Sequence, residues 1–235
     1  MAADGSALRL AKDRIDVGHY TNRWADGGEA FWRDTVGLAY EELLKVGNGV
    51  HQHRFGVRGS VCKVNAARAA LPVAPTAFRR LRIADEALEE PVLLPDPDGT
   101  EVELVPVGHD GVTDLGVVWA TRDADGLGRL LVEGFSATDE GDGRHRLGTS
   151  VLQLVHDPDV APVDAGLFAA GFRYLTVQVW DVRAEHTRLL DAGWSEGRAP
   201  VKLGETAFIS FVRDPGGSWI EVSQRASLTG PLPDA

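Results

Sequence analysis

Several things are scarce in this 235-residue chain, and each scarcity removes a class of function. Cys62 is the only cysteine, so no disulfide forms within the chain and no Cys-rich zinc site is available. Met1 is the only methionine, which leaves no Met-rich binding groove. No apolar run approaches the length that spans a bilayer, and the N-terminal stretch MAADGSALRLAKDRID lacks the apolar centre of a secretion signal. The expected location is therefore the cytoplasm. Basic residues are outnumbered, 24 Lys and Arg against 35 Asp and Glu, for a net charge of −11. Such a surface works against nucleic acid and anionic membrane. The densest basic cluster, Arg79, Arg80 and Arg82, alternates with apolar residues as a strand does. The chain also has no Walker-type phosphate loop, no dinucleotide-binding GxGxxG after a strand, no GxSxG elbow and no HExxH.

What the chain does contain is a repeat. DPDGTEVEL (Asp96 to Leu104) and DPGGSWIEV (Asp214 to Val222) are variants of one phrase, a tight turn followed by a strand. A single glutamate, Glu103 or Glu221, sits at the same point of each strand. The last copy is the clearest. FRYLTVQVWD alternates as a strand, VRAEHTRLLDAGW has helical spacing with Gly193 as its stop, and VKLGETAFISFVRD and SWIEVSQ supply further strands. The first copy has the same order. VGHYTNRW is a strand, and ADGGEAFWRDTVG is a helix with Asp26 as its cap and Gly37 as its stop. YEELLKV, VHQHRFGVR and SVCKVNA then follow as strands.

Two less complete copies lie between. Ala77 to Val107 has strands at both ends, with a middle too short for a full helix. Asp114 to His156 has a strand, a helix in DGLGRLLVEGF, and the strand SVLQLVH. DPDVAPVDAG links it to the last unit. The turn GHDG divides the chain into halves of two units each, 13–108 and 112–225.

Four βαβββ-type units with DPxG before a closing strand resemble the vicinal oxygen chelate superfamily, over roughly Ile15 to Gln224. That group includes glyoxalase I, bleomycin-resistance proteins, methylmalonyl-CoA epimerase and extradiol dioxygenases. The resemblance implies an α+β fold of tandem βαβββ modules, which form two cupped mixed β-sheets. It implies metal ligands from first strands, usually His, and from last strands, usually Glu. On that pattern His19 with Glu221 or Glu103 would hold a divalent ion (Fe, Mn, Ni, Co or Zn), unless no metal is used. The pattern is incomplete: the other first strands carry Phe78, Val117 or Gly116, and Tyr174, and the other last strands carry Lys63 and Gln153.

The residues themselves admit plainer readings. His19 shares a strand face with Val17 and Thr21, so it is either a hydrogen-bonded core histidine or a ligand. Lys63 cannot coordinate a metal while protonated. It is either the salt-bridge partner of a glutamate or an anchor for a substrate carboxylate. Tyr174 is a candidate acid, and Glu221, Glu103 and Lys63 are candidate proton-handling groups. His51 and His53 alternate on one strand and would supply the missing histidines if that face met the cup. Trp24 and Trp219 are candidate cup-lining aromatics.

Three functions remain open. One is a metal-dependent isomerase or lyase acting through an enolate on a small oxygenated molecule, with ring-cleaving dioxygenation a weaker variant. Another is a metal-free binding protein of the bleomycin-resistance type. The third is a metal-free acid–base enzyme. The expected partner in each is a small molecule, with no nucleic acid and no membrane, and the chain acts as a monomer or homodimer.

Overall fold

The computed structural model describes residues 8–163 and 166–234. Residues 1–7 of the N-terminal stretch, and residues 164 and 165 of the Pro- and Asp-rich linker, lie outside the described residues. Among the described residues, fifteen strands form two mixed sheets. The first unit gives β1 (Leu10–Thr21), β2 (Ala39–Lys45), β3 (Val50–Val57) and β4 (Ser60–Ala67). The second gives β5 (Phe78–Asp85), β6 (Val92–Pro95) and β7 (Glu101–Pro106), with no helix between its first two strands. The third gives β8 (Leu115–Thr121), β9 (Thr138–Gly141), β10 (Arg144–Leu147) and β11 (Ser150–His156). The fourth gives β12 (Gly171–Val179), β13 (Ser195–Leu203), β14 (Ala207–Arg213) and β15 (Trp219–Arg225).

Pairing of the units is nested. The eight-stranded sheet runs β13-β14-β15-β12-β1-β4-β3-β2, which joins the first unit to the fourth. The seven-stranded sheet runs β6-β7-β5-β8-β11-β10-β9, which joins the second to the third. The halves 13–108 and 112–225 therefore each contribute strands to both sheets. Within every unit the first and last strands are parallel neighbours, and the first strands of paired units meet antiparallel. Each sheet thus has an approximate two-fold at its middle.

One apolar core contains residues of both sheets. Val17, Val64, Leu175 and Ile220 of the larger sheet share it with Leu81, Val117, Trp119 and Leu152 of the smaller. Phe78 of β5 stacks on Phe172 of β12 at 4.6 Å, which seats the two sheets against each other. Helix α1 (Ala124–Arg129) is capped by Asp123, which accepts the Gly126 N–H at 2.8 Å. Helix α2 (Val182–Asp191) is capped by Asp181, which accepts the N–H groups of Arg183 and Ala184. Between β1 and β2 the expected helix is present through Thr35 but is kinked near its start, at Asp26 and Gly27. Asp26 is not its cap; Gly27, at φ +99°, breaks the segment there. No helix among the described residues is long and apolar enough to cross a membrane.

The repeated phrase is a repeated turn. Asp96 accepts the N–H groups of Asp98 and Thr100, and Asp214 accepts the N–H of Ser218, so each aspartate folds its own turn back on itself. Gly99 and Gly217 close these turns at φ +85° and +87°. The strands that follow then place Glu103 and Glu221 at matching points of different sheets.

Candidate functional site

The larger sheet carries a cavity of about 520 Å³ over its middle strands. That is within the roughly 300–1,000 Å³ range of small-molecule sites. Its floor follows from strand alternation. Gln52 and Arg54 of β3, Lys63 and Asn65 of β4, Tyr20 of β1, Tyr174 and Gln178 of β12, and Glu221 and Ser223 of β15 all line it. Within each strand these residues are two or four apart, so each strand presents one face.

At the centre, Lys63 Nζ donates to Glu221 Oε2 at 2.6 Å and to Thr176 Oγ1 at 2.7 Å. Thr176 donates in turn to the same glutamate oxygen at 2.6 Å. Lys63 and Glu221 are both nearly sealed from solvent, with side chains 4% and 8% exposed. Burial pushes the Lys63 ammonium below its ordinary pKa, and the charge of Glu221 opposes that shift. Around this pair Asn65 donates to Tyr174 Oη at 3.2 Å, and Gln52 donates to Asn65 at 2.9 Å. Burial, reinforced by the Glu221 charge, raises the Tyr174 phenol well above its usual value, so it stays protonated. Arg54 and Arg225 share one carboxylate, Glu42, at 3.0 and 2.5 Å. Arg198 is exposed at the edge of the cavity.

The cavity is positive within an acidic protein. Lys45, Arg54, Lys63, Arg198 and Arg225 line it, against one acid, Glu221. Apolar walls come from Leu167, Phe168, Ile209 and Phe211.

The strand register answers the question about metal. Gly18 pairs with Lys63 across the first unit, and Thr176 pairs with Glu221 across the fourth. Lys63 and Glu221 are 158 residues apart, as are Gly18 and Thr176, so the two-fold exchanges these pairs. The positions that face each other in the cup are thus Gly18, Lys63, Thr176 and Glu221. Only one is a carboxylate, and an ammonium already bonds it. A side chain at Gly18 has no room, because a Cβ there would meet the Tyr174 ring at 2.0 Å. This constellation does not fit the divalent ion implied by the resemblance.

The ligand set expected from the sequence is accordingly dispersed. His19 lies one residue beyond Gly18 and points to the opposite face, where Trp32 meets it edge-on at 5.9 Å. Its Nε2 sits 3.0 Å from Asp96 Oδ2 and 3.4 Å from Asp98 Oδ2, a trio able to hold a metal. Glu103 belongs to the other sheet and is held by Arg80 and Arg82 at 2.8 and 2.7 Å. His51 and His53 alternate away from the cup-facing Gln52 and Arg54. His53 stacks on Trp24 at 3.6 Å, and burial lowers its pKa. Neither histidine reaches the cup, and Trp24 is drawn off with them. Trp219 stands beside the cup, edge-on to Phe211 at 5.8 Å, and does not line the cavity.

Of the expected residues, Lys63, Glu221 and Tyr174 come together. The sequence reading missed Arg54, Asn65, Thr176, Gln52, Arg198 and Arg225. Counting by twos from Lys63 reaches Asn65, and counting by twos from Glu221 reaches Arg225. Counting by twos from Tyr174 likewise reaches Thr176, and the others depend on which strands become neighbours.

Comparison with known proteins agrees with this architecture. Residues 125–222 match the sequence profile of the Glyoxalase/Bleomycin resistance protein/Dioxygenase superfamily. Glyoxalase I from Zea mays superposes with a TM-score of 0.70 over 93% of this chain and 92% of that one, at 13% identity. A putative dioxygenase from Bacillus subtilis subsp. subtilis str. 168 gives 0.67 over 93% and 86%, also at 13% identity. The cppA protein from Streptococcus pneumoniae TIGR4 gives 0.55 over 92% and 99%, at 10% identity. No curated protein matches the sequence. The two mixed sheets, each built from two paired units, are the architecture these neighbours share with the chain. The sequence match to that superfamily lies in the C-terminal part, and the shared fold extends over nearly the whole length. Likeness at these identities establishes fold, and chemistry rests on the residues of the cup.

Proposed function

We propose that the cup binds a small organic anion without a divalent ion. The observation that carries this reading is the Lys63–Glu221 pair at the two-fold-related last-strand positions. The ammonium neutralises the one carboxylate there, and the surplus cations at the cavity edge supply the attraction. A ligand carboxylate or similar group meets Arg198 and the Arg54–Arg225 pair, and its apolar body packs on Tyr20, Phe168 and Phe211. Asn65, Gln178 and Ser223 offer hydrogen bonds that fix orientation.

The test is calorimetric titration of chelator-treated protein with a panel of aromatic and aliphatic carboxylates. The expected result is binding that survives chelation, weakens with salt and falls at least tenfold in Arg198→Ala. Stoichiometric metal that disappears in Glu221→Gln would overturn the proposal.

A second reading, metal-free proton transfer, is favoured by the depressed Lys63 pKa beside Glu221 and Thr176. Its signature is solvent deuterium exchanging into a bound ligand at a carbon next to its carbonyl, and losing that exchange in Lys63→Met.

A further inference from the structure

We propose that His19, Asp96 and Asp98 form a binding site for one divalent transition-metal ion between the two sheets, separate from the cup. His19 comes from β1 of the larger sheet, and both aspartates come from the turn joining β6 to β7 of the smaller one. The three ligand atoms lie within 4.8 Å of one another.

Three observations point to an ion there. The first concerns hydrogen-bond supply. Asp96 is 5% exposed, and its Oδ1 already accepts the N–H groups of Asp98 and Thr100. Its Oδ2 is buried, faces His19 Nε2 at 3.0 Å and accepts no hydrogen bond among the described residues. A single imidazole N–H points at one oxygen only, and the bond that forms runs to Asp98 at 3.4 Å. One buried carboxylate oxygen is left over, whereas a cation among the three atoms satisfies all of them at once.

The second observation is spacing. Bonds of about 2.0–2.2 Å give neighbouring ligand atoms about 3.0 Å apart in an octahedral shell and about 3.4 Å apart in a tetrahedral one. The two separations from Nε2 are 3.0 and 3.4 Å.

The third is access. Asp98 lines a second cavity of about 430 Å³, with Thr100, Gly99 and Arg23, through which an ion enters and water completes its shell. One imidazole with two carboxylates suits Zn²⁺ or Mn²⁺. The ion's role is to clamp β1 to the β6–β7 turn.

The experiment uses the full chain, free of any polyhistidine tag and stripped with chelator, titrated with ZnCl₂ and separately with MnCl₂. Calorimetry and thermal unfolding are followed for wild type, Asp98→Asn, His19→Gln and Glu221→Gln. The proposal expects one ion per chain and a Tm rise of roughly 5–10 °C at a hundredfold excess over Kd. Both effects should persist in Glu221→Gln and vanish in Asp98→Asn, a half-buried site where the variant keeps its fold. Absence of binding to folded wild type overturns the proposal. So does one-to-one binding that survives in Asp98→Asn, or that is lost in Glu221→Gln.

Discussion

Lys63 and Glu221 occupy two-fold-related positions 158 residues apart and meet at 2.6 Å in the floor of one cup. Each neutralises the other where solvent hardly reaches. Removing one partner strands a buried charge, so Lys63→Met or Glu221→Leu alone should cost about 3–5 kcal/mol. The double variant Lys63→Met/Glu221→Leu should recover most of that loss, with Thr176 left as a buried hydroxyl costing about 1–3 kcal/mol. Urea denaturation of the three variants measures the coupling. Additive losses would mean that the pair is not mutually dependent.

Gly18 and Tyr174 are matched by shape. The tyrosine ring fills the space where a side chain at position 18 would stand. Gly18→Ala should therefore lower stability by about 1–3 kcal/mol. Combined with Tyr174→Ala, the added methyl enters vacated space, and the double variant should be more stable than the sum of the singles predicts. Thermal unfolding of the four proteins decides this.

Asp214 gives the chain a specific pH response. Burial pushes its carboxyl up to about 6, against hydrogen bonds from the turn that favour ionisation. A folded pKa above the unfolded value stabilises the protonated form. The contribution is full below about 3.8, the unfolded value, and is lost as pH rises through 6. Asp214→Asn keeps an acceptor for the Ser218 N–H and carries no charge. It should match wild type near pH 4 and exceed it at pH 8 by up to about 3 kcal/mol. Unfolding free energies at both pH values test the sign, and a variant weaker than wild type at pH 8 would refute it.

Glu103 separates the two sheets functionally. It is tied to Arg80 and Arg82, away from the cup. Glu103→Gln should leave carboxylate binding unchanged while costing about 1 kcal/mol, and less in 1 M salt. Arg198→Ala should instead weaken ligand binding at least tenfold. Equal effects on binding would return Glu103 to the cup.

The fold was legible because the repeat is written in turn chemistry, DPDG and DPGG, and in strand alternation, both of which are local. The site was only partly legible. His19 and Gly18 are neighbours in sequence, and a strand sends them to opposite faces, so a one-residue choice of register exchanges a metal ligand for a bare backbone. A register shift between those two residues in the β1–β12 pairing adds to the difficulty. The pairing of units was illegible for another reason: nothing within a unit's own sequence names its partner. That choice sent Glu221 to Lys63, whereas the two arginines on Glu103 come from β5 of its own unit. The kink at the start of the helix after β1 depended on Gly27 adopting a conformation that its neighbours did not announce.

The nested pairing also orders events during synthesis. The smaller sheet, from Phe78 to His156, is complete while β12 to β15 are still unmade. It can assemble on the ribosome as an inner body, with β1 to β4 waiting beside it, one edge of β1 unpaired. Only when β12 emerges does β1 gain its antiparallel neighbour, and only with β15 does Lys63 gain its counter-charge. The cup is therefore the last part of the molecule to mature. A chain released early would carry a finished inner sheet and an exposed strand edge, features that quality control recognises.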